Sequence, residues 1–138
     1  MATTRIMIID DEIGFTNLVK LNLERTRRFE VHAVNNPLDA VAAAKTFKPH
    51  LILLDVMMPN KDGGELLAEL EADEQLKNIP VMFLTASTTS QLARAEQTVV
   101  YGRPAIAKPV EPNELIRRIN EALGISIFGF RLNWGKNN

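Results

Sequence analysis

Apolar residues in this chain come in short unbroken blocks, separated by longer stretches where they recur every three or four positions. The blocks are Arg5-Ile6-Met7-Ile8-Ile9, Leu51-Ile52-Leu53-Leu54, Val81-Met82-Phe83-Leu84 and Ala105-Ile106-Ala107. Runs this short and continuous predict strands buried on both faces, as in a parallel sheet. Five strands are expected, over 5–9, 29–34, 50–54, 81–84 and 105–107. Between them, Phe15, Leu18, Val19 and Leu23 predict a helix that starts near Asp11 or Glu12. Asn36-Pro37, an N-cap before a first-turn proline, predicts a second helix running to Phe47, broken by Lys48-Pro49. A third helix is expected over 64–73 after a loop over 59–63, and a fourth over 90–100, ended by Gly102. Glu111-Pro112 opens a fifth, with Leu115, Ile116, Ile119 and Leu123 on one face. Strand–helix alternation with short links predicts an α/β domain whose parallel sheet carries helices on both sides.

Each apolar block stops at a residue suited to phosphate chemistry: Asp10-Asp11, Asp55, Thr85 and Lys108-Pro109. Ligands of open α/β sheets bind beyond the carboxyl ends of the strands. Singly, each residue has a plainer account. Asp10-Asp11 caps a helix, Asp55 leaves the core for water, Thr85 is a β-branched strand residue, and Lys108 is a surface lysine. Jointly they mean more. With the first and third strands adjacent, in the order 2-1-3-4-5, three carboxylates converge and at least one pKa must rise. A cation is then needed. Mg²⁺ takes oxygen ligands and phosphate together, Lys108 adds a fixed positive charge, and Thr85 adds a hydroxyl.

Composition narrows the alternatives. A chain of 138 residues with 46% hydrophobic and 24% charged residues has enough length for one domain with a full core. The net charge of −1 offers no basic field for direct contact with nucleic acid or an anionic membrane. There is no cysteine, hence no disulfide or thiol chemistry, and two histidines make a structural zinc site a poor fit. No signal-peptide layout or membrane-length apolar stretch is visible, so a cytoplasmic location is expected.

The pieces Ile9-Asp10-Asp11-Glu12, Leu53-Leu54-Asp55-Val56-Met57-Met58-Pro59, Asp62-Gly63, Leu84-Thr85-Ala86 and Lys108-Pro109 fall in one order across residues 5–123. In that order and spacing the chain resembles the receiver domain of two-component response regulators, the CheY-like family. The resemblance implies a flavodoxin-like (βα)₅ doubly wound fold over residues 1–124; the remaining 125–138, a short apolar and aromatic tail, offer too few residues for a separate output domain, so none is expected. It implies that Asp55 accepts a phosphoryl group from a sensor histidine kinase or phosphotransfer protein. Asp10, Asp11, Asp55 and the backbone carbonyl of Met57 would hold Mg²⁺. Thr85, the Ala86 N–H and Lys108 would bind the phosphoryl oxygens, with Met57 beside them, and the Lys108–Pro109 bond would be cis. A downstream protein target follows, with a phosphorylation-dependent dimer as one form of output. The protein would not be an enzyme beyond accepting, and slowly losing, its own phosphoryl group.

Several positions depart from the family pattern. Ala105 stands where most relatives carry the aromatic coupled to the threonine, and Tyr101 is expected to pack at the end of the fourth helix. Thr26-Arg27-Arg28 replaces a common glycine cap. Met57 and Ser87, at positions that tune hydrolysis of the acyl phosphate, are not bases, so a long-lived phosphoryl state is expected. The alternating tail Phe128, Phe130, Leu132, Trp134 reads as a segment folded back on the domain, the start of a longer parent, or a strand that pairs with a partner. Competing functions are a phosphorylation-independent pseudo-receiver and a receiver fragment of a larger regulator or kinase. A haloacid-dehalogenase-type phosphatase wants an acid where Met57 stands, and a flavin carrier lacks its phosphate loop.

Overall fold

The computed structural model describes residues 3–86 and 99–124; most of the expected fourth helix and the aromatic tail lie outside them. The elements are β1 (Thr4–Ile9), α1 (Ile13–Glu24), β2 (Phe29–Val34), a 3₁₀ turn (Pro37–Asp39), α2 (Ala40–Phe47), β3 (Leu51–Asp55), α3 (Gly63–Ala72), β4 (Val81–Thr85), β5 (Val99–Val100), β6 (Arg103–Ala107) and α4 (Pro112–Leu123). Strand order is β2-β1-β3-β4-β6-β5. Every pairing is parallel except β5 with β6. With β6 as the fifth parallel strand, this is the expected 2-1-3-4-5 order plus a short edge ribbon.

The unbroken apolar blocks are explained by burial on two sides. Ile6, Ile8, Leu51, Leu53, Met82, Leu84 and Ile106 join Val19 and Leu23 of α1 and Leu115, Ile119 and Leu123 of α4. Met7, Ile9, Ile52, Leu54 and Phe83 point the other way, to Ala40 and Ala44 of α2 and Leu66, Leu67 and Leu70 of α3. Truncating one of these fully buried leucines to alanine costs about 2–5 kcal/mol.

Four local expectations change. Helix α1 turns Thr16, Val19 and Leu23 inward, while Leu18 is exposed. At about 100° per residue, Leu18 lies too far round the helix from the face centred on Val19. The buried Thr16 hydroxyl donates to the Ile13 carbonyl and accepts from Asn35 Nδ2, so it is satisfied there. Asn36-Pro37 opens a 3₁₀ turn before α2, with Asn36 Oδ1 accepting from the Leu38 N–H. Val99–Val100, expected to end a helix, is instead a strand paired with Arg103 and Pro104, so the last parallel strand begins two residues early. Tyr101 and Gly102, both at positive φ, make the hairpin turn.

The Tyr101 ring, carried by the hairpin turn, packs on the first turn of α3. It lies 5.6 Å from the Phe83 ring and covers Gly64, where an added Cβ would come within 2.6 Å of the tyrosine. Arg103 pairs with Glu71 of α3 at 2.8 Å, a second tie between the hairpin and that helix. Ala105 is buried opposite Phe83 in the register, so the aromatic bulk here sits on β4.

The missing glycine cap after α1 is filled by Arg27 at φ 64°, an exposed arginine in the left-handed region. The Thr26 hydroxyl donates to the Leu23 carbonyl and accepts from the Arg28 N–H, stitching the turn. An L side chain at such φ is strained by about 1–2 kcal/mol, partly offset by the entropy a glycine loses on folding. Arg27→Gly is therefore expected to raise stability by about 0.5–1 kcal/mol, read as a higher urea midpoint at unchanged slope.

Candidate functional site

Parallel pairing places the carboxyl ends of β1, β3, β4 and β6 along one edge of the sheet. Asp10 follows β1 directly, and its N–H still donates to the Val34 carbonyl of β2. Its Oδ1 accepts from the Glu12 N–H at 2.9 Å, and Asn35 Nδ2 donates to its carbonyl at 2.8 Å. Asp55 closes β3, and the next N–H, of Val56, donates to the Leu84 carbonyl. Gly63 then brings α3 against that strand end. Its N–H donates to the Val56 carbonyl at 2.8 Å, and a Cβ there would lie 2.6 Å from the Asp55 carbonyl oxygen. Asp62 and Glu65 close a capping box that starts α3 at that point.

Thr85 ends β4, and its carbonyl accepts from the Lys108 N–H at 2.8 Å. Ala86 follows on the exposed loop, and Ser87 lies outside the described residues. The Lys108–Pro109 bond is cis. Lys108 Nζ lies 2.8 Å from Asp10 Oδ2, 2.8 Å from Glu12 Oε1 and 3.6 Å from Asp55 Oδ1. It also sits 4.7 Å from the centroid of the Phe15 ring. Asp10, Asp55 and Lys108 thus meet in side-chain contact. Thr85, Ala86 and Met57 share the edge by position, Met57 with its side chain in solvent.

Burial pushes the Asp55 carboxyl up to about 6, and the negative charge of Asp10 adds to the rise. Lys108 and the Met57 N–H pull it back, while Asp11 repels it further. Burial works against the Lys108 ammonium, yet close contacts with Asp10 and Glu12, and the charge of Asp55, hold it above its ordinary value. The crowding expected of three strand-end acids is therefore present, centred on Asp55.

One carboxylate oxygen from each of Asp10, Asp11 and Asp55 lies within 4.8 Å of the others, a set that could hold a metal ion. Asp10 Oδ2 is buried and accepts no hydrogen bond. Its contact with Lys108 Nζ is close but poorly aligned, an ion pair without a directed N–H. A buried oxygen in that state, among hard oxygen donors, fits a small divalent cation.

Three contributors carry no assigned role in the motifs. Glu12 and Phe15 embrace the lysine, and Gly63 allows the close approach of α3. Phe15 reads in the sequence as part of an apolar stripe, and nothing local marks Glu12 as a partner of a residue 96 positions away.

Residues 6–120 match the response regulator receiver domain family. The chain belongs to that family. It is 33% identical over 120 residues to the DNA-binding dual master transcriptional regulator RpaA of Synechocystis sp., covering 86% of this chain and 48% of that protein. It is 35% identical over 121 residues to the CpxR homolog of Haemophilus influenzae, covering 87% and 50%. The chain spans about half the length of these relatives. Among solved structures, a response regulator from Desulfuromonas acetoxidans matches at a TM-score of 0.73 and 30% identity, over 87% of this chain and 96% of that one. The chemotaxis protein CheY4 of Vibrio cholerae matches at 0.74 and 25%, over 88% and 100%.

In this receiver domain the upward shift of Asp55 means that the native state holds that proton more tightly than the unfolded chain. The stability linked to it is complete below about pH 4 and is lost as pH rises through about 6. Asp55→Asn removes the charge without removing bulk. In metal-free protein it is expected to raise stability at pH 7.5 by on the order of 1 kcal/mol, with the gain vanishing near pH 4, measured by denaturant titration at each pH.

Proposed function

We propose that this receiver domain is a phosphorylatable switch whose acceptor is Asp55. The observation that carries the reading is the meeting of Asp55 with Asp10, Asp11 and Lys108 at one sheet edge. Response regulators work with histidine kinases, and the donor is a phosphohistidine on such a kinase or on a phosphotransfer protein. An Asp55 carboxylate oxygen attacks phosphorus as the donor nitrogen–phosphorus bond breaks, and the leaving imidazole takes up a proton. Such transfer needs in-line positioning and charge neutralisation more than covalent machinery. Lys108, the Thr85 hydroxyl and the Ala86 N–H take the phosphoryl oxygens. Asp10, Asp11, Asp55 and the Met57 carbonyl hold Mg²⁺, which supplies neutralising positive charge when bound.

The domain accepts its own phosphoryl group and is not an enzyme toward other substrates. Phosphorylation draws Thr85 and its loop inward and changes a partner-binding surface. Relatives named as DNA-binding are about twice as long as this chain. With a net charge of −1, the receiver itself contacts protein rather than nucleic acid, and a phosphorylation-dependent dimer is one form of that contact. No helix among the described residues is long and apolar enough to cross a membrane, and we place this signalling step in the cytoplasm.

Incubation with acetyl phosphate and Mg²⁺ is expected to add one phosphoryl group by intact mass, lost in Asp55→Asn. The adduct should persist well beyond seconds after donor removal, since Met57 is no base. No adduct from acetyl phosphate or from a cognate kinase would favour a phosphorylation-independent binding module. Continuous release of many phosphates would favour a phosphatase.

A further inference from the structure

The Lys108 ammonium is shared unequally. Its Nζ stands 2.8 Å from Glu12 Oε1 and 2.8 Å from Asp10 Oδ2, but 3.6 Å from Asp55 Oδ1, beyond hydrogen-bonding distance. Of these carboxylates, only Glu12 receives a directed hydrogen bond from Nζ. The Phe15 ring, 4.7 Å away, adds a cation–π contact from the same helix start. Glu12 is the N-cap residue of α1, yet its side chain makes no capping bond, while its N–H is tied to Asp10 Oδ1. The carboxylate is thus free of helix duty and held by its backbone within reach of the lysine.

We infer that Glu12, backed by Phe15, is a positioning residue that holds the Lys108 ammonium off Asp55 in the resting domain and yields it when the phosphoryl group arrives. The inference rests on Asp55 being the phosphoryl acceptor. The Glu12 side chain is 62% exposed, so water replaces the lysine at little cost, and the pairing is weak enough to exchange. A phosphoryl group on Asp55 brings more negative charge into a drier place and wins the ammonium. Until then Glu12 competes for the counter-charge that the transfer needs.

The test compares Glu12→Gln and Glu12→Asp with the parent chain, using acetyl phosphate at saturating Mg²⁺. Glu12→Gln keeps the length and removes the charge, whereas Glu12→Asp keeps the charge and loses the reach. Both are expected to accept phosphoryl roughly two- to fivefold faster at low salt, the scale of one exposed ion pair. The difference should collapse near about 1 M salt, where screening already loosens Glu12 in the parent. In metal-free protein, the Lys108 Cε and Nζ NMR signals should move in both variants and in Phe15→Leu. Unchanged lysine signals, equal rates at low salt, or a gain that persists in high salt would overturn the inference. If the parent chain accepts no phosphoryl group, the acceptor reading fails instead, and the lysine signals still decide whether Glu12 holds Lys108.

Discussion

The structure turns on one electrostatic constraint: negative charge gathered at the carboxyl edge of a parallel sheet, with one lysine to balance it. Asp10 is fully buried, Asp55 nearly so, and Asp11 stands beside them. Lys108 approaches from the far side of the sheet, anchored by its own N–H on the Thr85 carbonyl. A single ammonium cannot neutralise Asp10, Glu12 and Asp55 together. The excess charge makes the site receptive to a cation, and the charges of Asp10 and Asp11 add to the burial that chiefly holds the Asp55 carboxyl above its ordinary range.

The rest of the sheet fixes where that charge sits. Strands β1 and β3 bury both faces, with Asn35, Thr16 and the Glu12 N–H fixing the turn around Asp10. On the other side, Gly63 lets α3 press directly on the end of β3. The hairpin of β5 and β6 is tied to the same helix by Tyr101 on Gly64 and Arg103 on Glu71. Asp55, α3 and the hairpin are therefore linked through adjoining contacts, with Phe83 at their centre. The Phe83 ring stands 5.6 Å from that of Tyr101, and its edge would lie 2.9 Å from a Cβ on Gly63. The absence of an aromatic at Ala105 is matched by this shift of aromatic packing to β4 and to the hairpin turn.

Local chemistry explains what the sequence showed well and what it obscured. The strands are legible because burial on both faces demands unbroken apolar runs, and α4 because Glu111-Pro112 and its three buried positions all agree. Leu18 misled because an exposed leucine on a helix looks the same as a buried one in a short pattern. Val99 and Val100 misled because two β-branched residues beside a turn suit a helix end or a strand start equally. The hairpin exists because β6 offers an edge to pair with, which is information held elsewhere in the chain.

The sequence by itself determined the parallel sheet, the strand-end placement of Asp10, Asp11, Asp55, Thr85 and Lys108, and the family to which the chain belongs. These follow from periodicity and from residue types at strand ends, both of which are local. Only the tertiary structure decided how Lys108 divides itself among Asp10, Glu12 and Asp55, and that Phe15 lies beside it. It also decided that Gly63 and Tyr101 bind α3 to the site's edge. Differences of less than an ångström set the lysine's partnerships, and they depend on how separate elements pack, which no run of neighbouring residues encodes.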